Sequence, residues 1–333
     1  MSKNISALIG LIIGTTVSFA SVNVVETPDA SPAARNRFYV GNRAPLEASR
    51  FVKLPVGRVQ PRGWIRRQLE LQAAGFHGHL EEISRFLRKG SNAWLNVQGQ
   101  GEYGWEEVPY WLKGFGDCAY LLGEEQQIKK ARLWLEGALA SQREDGFFGP
   151  QPGTKSTVSS TSGKYDLWPN MVMLFCLQSY HEFSQDQRVL DFMTRYFRWE
   201  LSVTEADFLP PYWQQQRAAD NLVSVYWLYN RTGDQWLLEL AEKIHRRTAN
   251  WTDGVPDWHN VNMSQAFGGP TTYWIQSHQQ KHLQASERNC QTIRQRYGQV
   301  PGGMFGGDEN CRPGYTDPRQ AIETCGMVEM MLS

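Results

Sequence analysis

Apolar side chains recur at i, i+3, i+4 and i+7 along most of this chain, the spacing that gathers them on one face of an α-helix. The runs "VPYWLKGFGDCAYLL", "QQIKKARLWLEGALASQ", "NMVMLFCLQSYHEF", "QRVLDFMTRYFRW", "AADNLVSVYWLYNRT" and "QWLLELAEKIHRRT" all carry it, and no run alternates strictly over the length of a strand. The predicted helices also share a grammar. In "LLGEEQQIKKARLWL", "EFSQDQRVLDFMTRYF" and "NRTGDQWLLELAEKI", one helix ends, a short turn carries Gly or Ser with an acid, and a second helix begins. The acid suits the start of the second helix, where it caps free N–H groups and meets the positive dipole end. The unit returns every roughly 50–60 residues, too long for tetratricopeptide or ankyrin repeats. These features predict an all-α fold, an α/α toroid whose inner helices ring a central pocket.

Long loops rich in Gly, Ser, Thr and Pro join the hairpins, as in "REDGFFGPQPGTKSTVSSTSGKYDLWPN" and "TDGVPDWHNVNMSQAFGGPTTYW". Loops of this length inside a compact domain tend to carry function. The N-terminus has the form of an export signal: Lys3, then "ALIGLIIGTTV", then "SFA" with small residues at Ser18 and Ala20. We expect cleavage after Ala20, an uncleaved anchor being the competing reading. A disordered leader is expected over 21–44 and a folded domain over 45–333, working in a secreted or periplasmic setting. No later run is long and apolar enough to cross a bilayer. The final run "AIETCGMVEMMLS" stops on apolar residues with no Gly, Asn or basic residue to close a helix. A frayed terminal helix would explain it; our expectation is a domain cut short.

Composition narrows the partners. Lys+Arg and Asp+Glu are equal at 34 each, so nothing favours nucleic acid or an anionic membrane. The chain holds 13 Trp, 13 Tyr and 15 Phe, mostly core material, but exposed Trp also stacks on the C–H faces of sugars and so favours an oligo- or polysaccharide partner. Of the five cysteines, Cys118 and Cys176 fall in apolar helical patterns and read as core. Cys290, Cys311 and Cys325 fall in polar surroundings and ask for a chemical explanation.

Three stretches offer chemistry. Asp308 and Glu309 follow the Gly-rich "GGMFGG", and paired acids are what sugar hydrolysis requires. Glu323 and Cys325 in "ETC" are both zinc-ligand types, yet i and i+2 diverge on a regular helix. A shared metal therefore needs irregular or extended backbone at this triplet. The upstream "TDPRQ" complicates this, since Asp317, Pro318 and Gln320 form a good helix start. Trp105, Glu106 and Glu107 in "GWEEVPYW" form a third cluster, suited to sugar hydroxyls or simply to a helix N-terminus.

The segments "GWEEVPYWLKGFGDCAYLLG", "ASQREDGFFGP", "DGVPDWHNVN" and "GDENCRPGYTDPRQAIETCGMVEMM" together resemble the catalytic domain of glycoside hydrolase family 127, the β-L-arabinofuranosidase-like proteins. The resemblance implies an α/α barrel followed by β-sandwich domains, the latter lying outside this sequence. It further implies a retaining glycosidase whose nucleophile is a cysteine thiolate bound to zinc, the metal being held by three Cys and one Glu. By that likeness Glu323 and Cys325 match half of the zinc site. Glu309 matches the general acid/base, with Asp308 as the alternative, and His259 matches a substrate contact. The family's nucleophilic cysteine and its neighbour would lie beyond Ser333, and Cys290 and Cys311 do not match them; a disulfide between these two, or free surface thiols, is the simpler reading. Where the family has a His-rich "HELYNMGH"-like start, this chain has "YDLWPNMVM", so Asp166, Trp168 and Asn170 would line the pocket instead. Other readings are a different α/α-toroid enzyme, such as an unsaturated-uronide hydrolase or lyase, and a non-catalytic glycan-binding toroid.

Overall fold

The computed structural model describes residues 39–152, 165–298, 303, 305–311 and 322–333. The export signal and the "TDPRQ" segment lie outside them, as does most of the expected leader. Thirteen α-helices occur among the described residues: α1 (Gly63–Ala74), α2 (Phe76–Ile83), α3 (Glu107–Leu122), α4 (Glu125–Ala140), α5 (Trp168–Ser184), α6 (Arg188–Ser202), α7 (Trp213–Gln216), α8 (Ala219–Thr232), α9 (Trp236–Arg247), α10 (Asn260–Ala266), α11 (Gly269–Ser277), α12 (Gln280–Tyr297) and α13 (Thr324–Leu332). Extended pairing among the described residues is confined to two isolated bridges, Asn92 with Tyr103 and His259 with Asn310.

The predicted hairpins are α3/α4, α5/α6 and α8/α9. Each turns through a left-handed residue: Gly123 at φ 72°, Gln185 at φ 61° and Gly233 at φ 81°. Glycine takes that conformation without strain, which is why two of the three turns use it. The turn acids act less uniformly than the pattern implies. The Asp186 carboxylate accepts from Arg188 N–H at 3.0 Å, whereas Glu124 makes no side-chain cap and Asp234 offers only its carbonyl, to Leu237.

Burial separates two layers. Helix α5 is buried on almost every side, whereas α6 and α9 bury a single stripe. Helices α3, α5, α8, α10 and α13 pack each on the next, and Lys113 of α3 reaches Glu329 of α13 at 3.8 Å. Helices α4, α6, α9 and α12 pack outside them. The space between the layers is filled by large aromatics such as Trp94, Trp134, Phe148, Phe192 and Tyr196. Residues 42–44, assigned from sequence to the leader, are clasped onto α8. Arg43 N–H donates to Asn230 Oδ1 at 2.9 Å, and Tyr229 donates its hydroxyl to the Ala44 carbonyl at 2.5 Å.

All five cysteines are free thiols. Cys118 and Cys176 are buried, as their patterns imply. The reading of Cys290 and Cys311 as a disulfide or as surface thiols needs correction. Cys311 is 1 % exposed, and both pack into a second apolar cluster with Trp251, Met263, Ile293 and Tyr297. Neighbouring polar residues in sequence mask this, because the partners come from α10 and α12. Burial pushes the Cys311 thiol up to about 12, so it is an inert core group. No described helix is long and apolar enough to cross a membrane.

Candidate active site

The N-terminal ends of the inner helices converge, and the candidate site is built from the turns that lead into them. At α3 and α5 the link is reciprocal. Trp105 donates its indole N–H to Asp166 Oδ2 at 2.8 Å, and Trp168 donates its own to Glu106 Oε2 at 2.5 Å. Asp166 also accepts from Trp168 N–H at 3.1 Å, which starts α5. Burial raises the pKa of both Asp166 and Glu106; the indole hydrogen bonds and the Arg217 charge oppose it. Glu107 faces elsewhere, with Arg85 as the cation acting on it. Asn170 stands behind the pocket wall, fully buried, and donates to the Phe148 carbonyl at 2.8 Å.

Arg217, just before α8, lies at the centre. It is 5 % exposed, with its guanidinium over the rings of Trp168 at 4.6 Å and Trp213 at 5.0 Å. Its Nε donates to Asn262 Oδ1 at 2.7 Å, and Nη1 stands 3.8 Å from Glu106 Oε2. Asn262 in turn donates to the Tyr212 oxygen at 3.1 Å and to Asp257 Oδ1 at 3.2 Å, and Tyr212 donates its hydroxyl to Asp257 Oδ2. Asp257 also accepts from His259 N–H at 2.7 Å. A continuous polar chain thus runs from Trp168 to His259.

His259 occupies the N-cap position of α10, 8 % exposed, and packs edge-on to Trp213 at 5.0 Å. Its Nε2 faces Glu309 Oε1 at 3.6 Å, and its Nδ1 is buried without a partner. Burial first, then the charge of Arg217, lowers its pKa, which keeps the ring neutral near pH 7.

The Gly-rich loop is clamped beside it. Gly307 offers its carbonyl to Asn260 Nδ2 at 3.0 Å and to Glu323 N–H at 2.9 Å, and Asn260 N–H donates to the Glu309 carbonyl at 3.0 Å. A Cβ at 307 would lie 2.5 Å from Cys311 Sγ, so the close approach requires glycine. Glu309 is 69 % exposed at the mouth, whereas Asp308 is only partly exposed.

Glu323 is extended (φ −76°, ψ 116°), and α13 begins at the next residue. The helix that would have separated Glu323 from Cys325 therefore starts between them. Burial raises the Glu323 pKa, and the like charge that raises it most is Glu309; Glu323 Oε2 is buried without a hydrogen bond. The Cys325 thiol, though exposed, is raised as well, by partial desolvation first and then by the charge of Glu323. The acid, the glutamate and the cysteine thus share one region. Sequence reasoning missed Tyr212, Arg217, Asp257, Asn260 and Asn262. Only the repeated asparagines of "PDWHNVN" gave a local signal, while Arg217 stands alone in "QQQRAADN".

A family model for the β-L-arabinofuranosidase GH127 catalytic domain matches residues 33–333. The chain belongs to glycoside hydrolase family 127. Its fold is similar to that of Ara127N-Se, a GH127 β-L-arabinofuranosidase from Geobacillus stearothermophilus T6, with a TM-score of 0.60 and 15 % identity over 81 % of this chain and 51 % of that one. It is similar as well to the GH127 β-arabinofuranosidase BT3674, with a TM-score of 0.60 and 13 % identity over 89 % of this chain and 51 % of the other. No functionally curated protein matches. This GH127 domain thus spans about half the length of either solved relative.

Two donors of zinc-ligand type, Glu323 and Cys325, lie together, and the unpartnered Glu323 Oε2 has the character of a free ligand atom. Among the described residues, however, no three His, Cys, Asp or Glu side chains are placed to hold one metal ion. The two donors alone do not make a zinc site, which takes four ligands when structural and three when catalytic.

Proposed function

We propose that this domain is the sugar-binding and acid/base portion of an exported, retaining glycoside hydrolase that acts on a terminal β-L-arabinofuranose or a similar sugar of a glycan. One observation carries the reading: Glu309, solvent-accessible, faces a buried neutral histidine at 3.6 Å and is the like charge that acts most strongly on Glu323. In this reading Glu309 protonates the departing glycosidic oxygen as the sugar carbon bonds to a nucleophile supplied from outside the described residues, and later takes a proton from the water that breaks that bond and frees the sugar. His259 holds the carboxyl in place and contacts substrate. Arg217 and Glu106 fix the indoles that wall the pocket. Asp308, whose backbone carbonyl lies 3.4 Å from the Cys311 thiol, is the weaker candidate for the acid. Zinc, if bound, would be held in part by Glu323 and Cys325 and would keep a ligating thiol deprotonated near neutral pH. The remaining donors would come from outside the described residues.

The test is hydrolysis of an aryl β-L-arabinofuranoside, compared between a protein that carries this domain together with the family's nucleophilic cysteine and its Glu309→Gln variant. Turnover that falls by about 10²-fold or more in the variant supports the reading. Unchanged turnover removes Glu309 from the chemistry. Sugar binding with no turnover in either protein favours the glycan-binding toroid.

A further inference from the structure

The inner helices line a half-open chamber of about 350 Å³. Glu309 is not among its lining residues; Gln265, which is, donates to the Tyr110 hydroxyl at 3.2 Å, and Tyr110 packs on Trp168 at 5.9 Å. Its walls follow helical spacing, with Lys113 and Asp117 from α3, Gln178 from α5, Asp220 from α8, Gln265 from α10 and Glu329 from α13.

The chemistry of these walls is lopsided. Gln265 is 5 % exposed, commits its amide N–H to Tyr110 and leaves Oε1 buried without a partner. Asp117 Oδ1 is also buried without a partner. Lys113 is 3.8 Å from Glu329, and the other lysine at the chamber, Lys53, is drawn to Glu182 at 3.1 Å. Among the described residues no ion pair within 4.0 Å reaches Asp117 or Asp220. Burial raises both carboxyls, Asp220 to about 7; a Ser179 hydrogen bond and the chamber lysines at Asp117, and Lys113 and Arg217 at Asp220, oppose it without cancelling it. Unpaired buried acceptors are costly, and a ligand that supplies donors and a positive charge relieves that cost. A bare alkali ion would leave most of the volume empty, since one water's share of liquid is about 30 Å³. An organic cation fits better.

We propose that this chamber binds a small hydroxyl-bearing protonated amine, with the ammonium against Asp117 and Asp220 and a donor on Gln265 Oε1. The site is separate from the acid at the pocket mouth and does not depend on the catalytic reading.

Isothermal titration of the purified chain with 1-amino-1-deoxyglucitol tests it, with uncharged glucitol as the matched control. The amine should saturate one site and bind at least tenfold more tightly than glucitol. Asp220→Asn should weaken it by tenfold or more, Val223→Trp should block it by filling the chamber, and Glu309→Gln should leave it unchanged. Circular dichroism of each variant verifies folding, and Val223→Trp serves if Asp220→Asn does not fold. Equal affinity for glucitol, absence of saturable heat, loss of binding in Glu309→Gln, or displacement of the amine by equimolar potassium chloride would each overturn the proposal.

Discussion

Glu309 and His259 are joined twice: their side chains stand 3.6 Å apart, and the residue after the histidine, Asn260, donates its N–H to the Glu309 carbonyl at 3.0 Å. The partners are unequal, since the histidine is 8 % exposed and the glutamate 69 %. A fixed ring therefore positions a movable acid. His259→Ala should lower kcat by roughly tenfold while changing KM less, a smaller loss than Glu309→Gln gives, because it frees the acid without removing it. Initial rates on an aryl β-L-arabinofuranoside decide this, and a larger effect on KM would assign the histidine to sugar binding.

Arg217 neutralises a region otherwise crowded with acids. Arg217→Met removes the Asn262 bond and leaves Glu106 without its cation at 3.8 Å. Because Glu106 is 25 % exposed, the cost should be at the low end for a broken buried pair, roughly 1–3 kcal/mol. Adding Glu106→Gln should recover part of it. Urea unfolding of the single and double variants measures the coupling; purely additive losses would mean the two charges do not interact.

Glu200 is buried at 0 % exposure, accepting from Asn221 at 2.8 and 3.0 Å, and burial pushes its carboxyl up to about 7 from 4.5. The folded state holds this proton more tightly than the unfolded one, so its stability contribution falls as pH rises from 4.5 through 7. Glu200→Gln should flatten that slope. It should also raise Tm at pH 8, since it removes a buried negative charge while keeping one oxygen to accept from Asn221 Nδ2. Thermal melts across this window check it, and an unchanged slope would mean the carboxyl titrates normally.

Acid should act through a different group. Burial first, then the charge of His282, depresses His245 to about 4, and its ring stacks on Tyr273 at 3.7 Å. The unfolded imidazole takes a proton near 6.5 while the folded one resists it, so stability is lost as pH falls from 6.5 through about 4. His245→Phe keeps the stack and removes the titration, and its Tm should decline less steeply over that range.

Helices α10 and α13 meet at Gly326, where an added Cβ would lie 2.4 Å from the Asn260 amide. Gly326→Ala should push apart the two elements that carry His259 and Cys325, costing about 1–3 kcal/mol. Asn260→Gly in the same chain should restore packing without restoring the clamp on Gly307. Differential scanning calorimetry of the native chain and the two variants tests this order.

The fold was legible because its signals are local. The hairpins of α3/α4, α5/α6 and α8/α9 each carry helical apolar stripes, and two of the three turns carry a glycine at φ > 0. Trp105, Glu106, Asp166 and Trp168 were legible as polar and aromatic residues where a loop enters a helix. What could not be read depends on distance in space. Arg217 resembles any other arginine until Trp168 and Trp213 are seen to enclose it. Cys311 has polar sequence neighbours, yet its burial comes from residues on other helices. Asn170 lies close in sequence to Trp168 but points into the wall, because consecutive helix positions face different ways.

The crossed indole bonds of Trp105 and Trp168 have a consequence for selectivity. An indole has one donor, and both of these are already taken by protein carboxylates. Neither ring can therefore distinguish one epimer from another by hydrogen bonding. Under the proposed function they offer only shape and a nonpolar plane, which leaves discrimination between sugars that differ at a single stereocentre to the acids, amides and phenol around them.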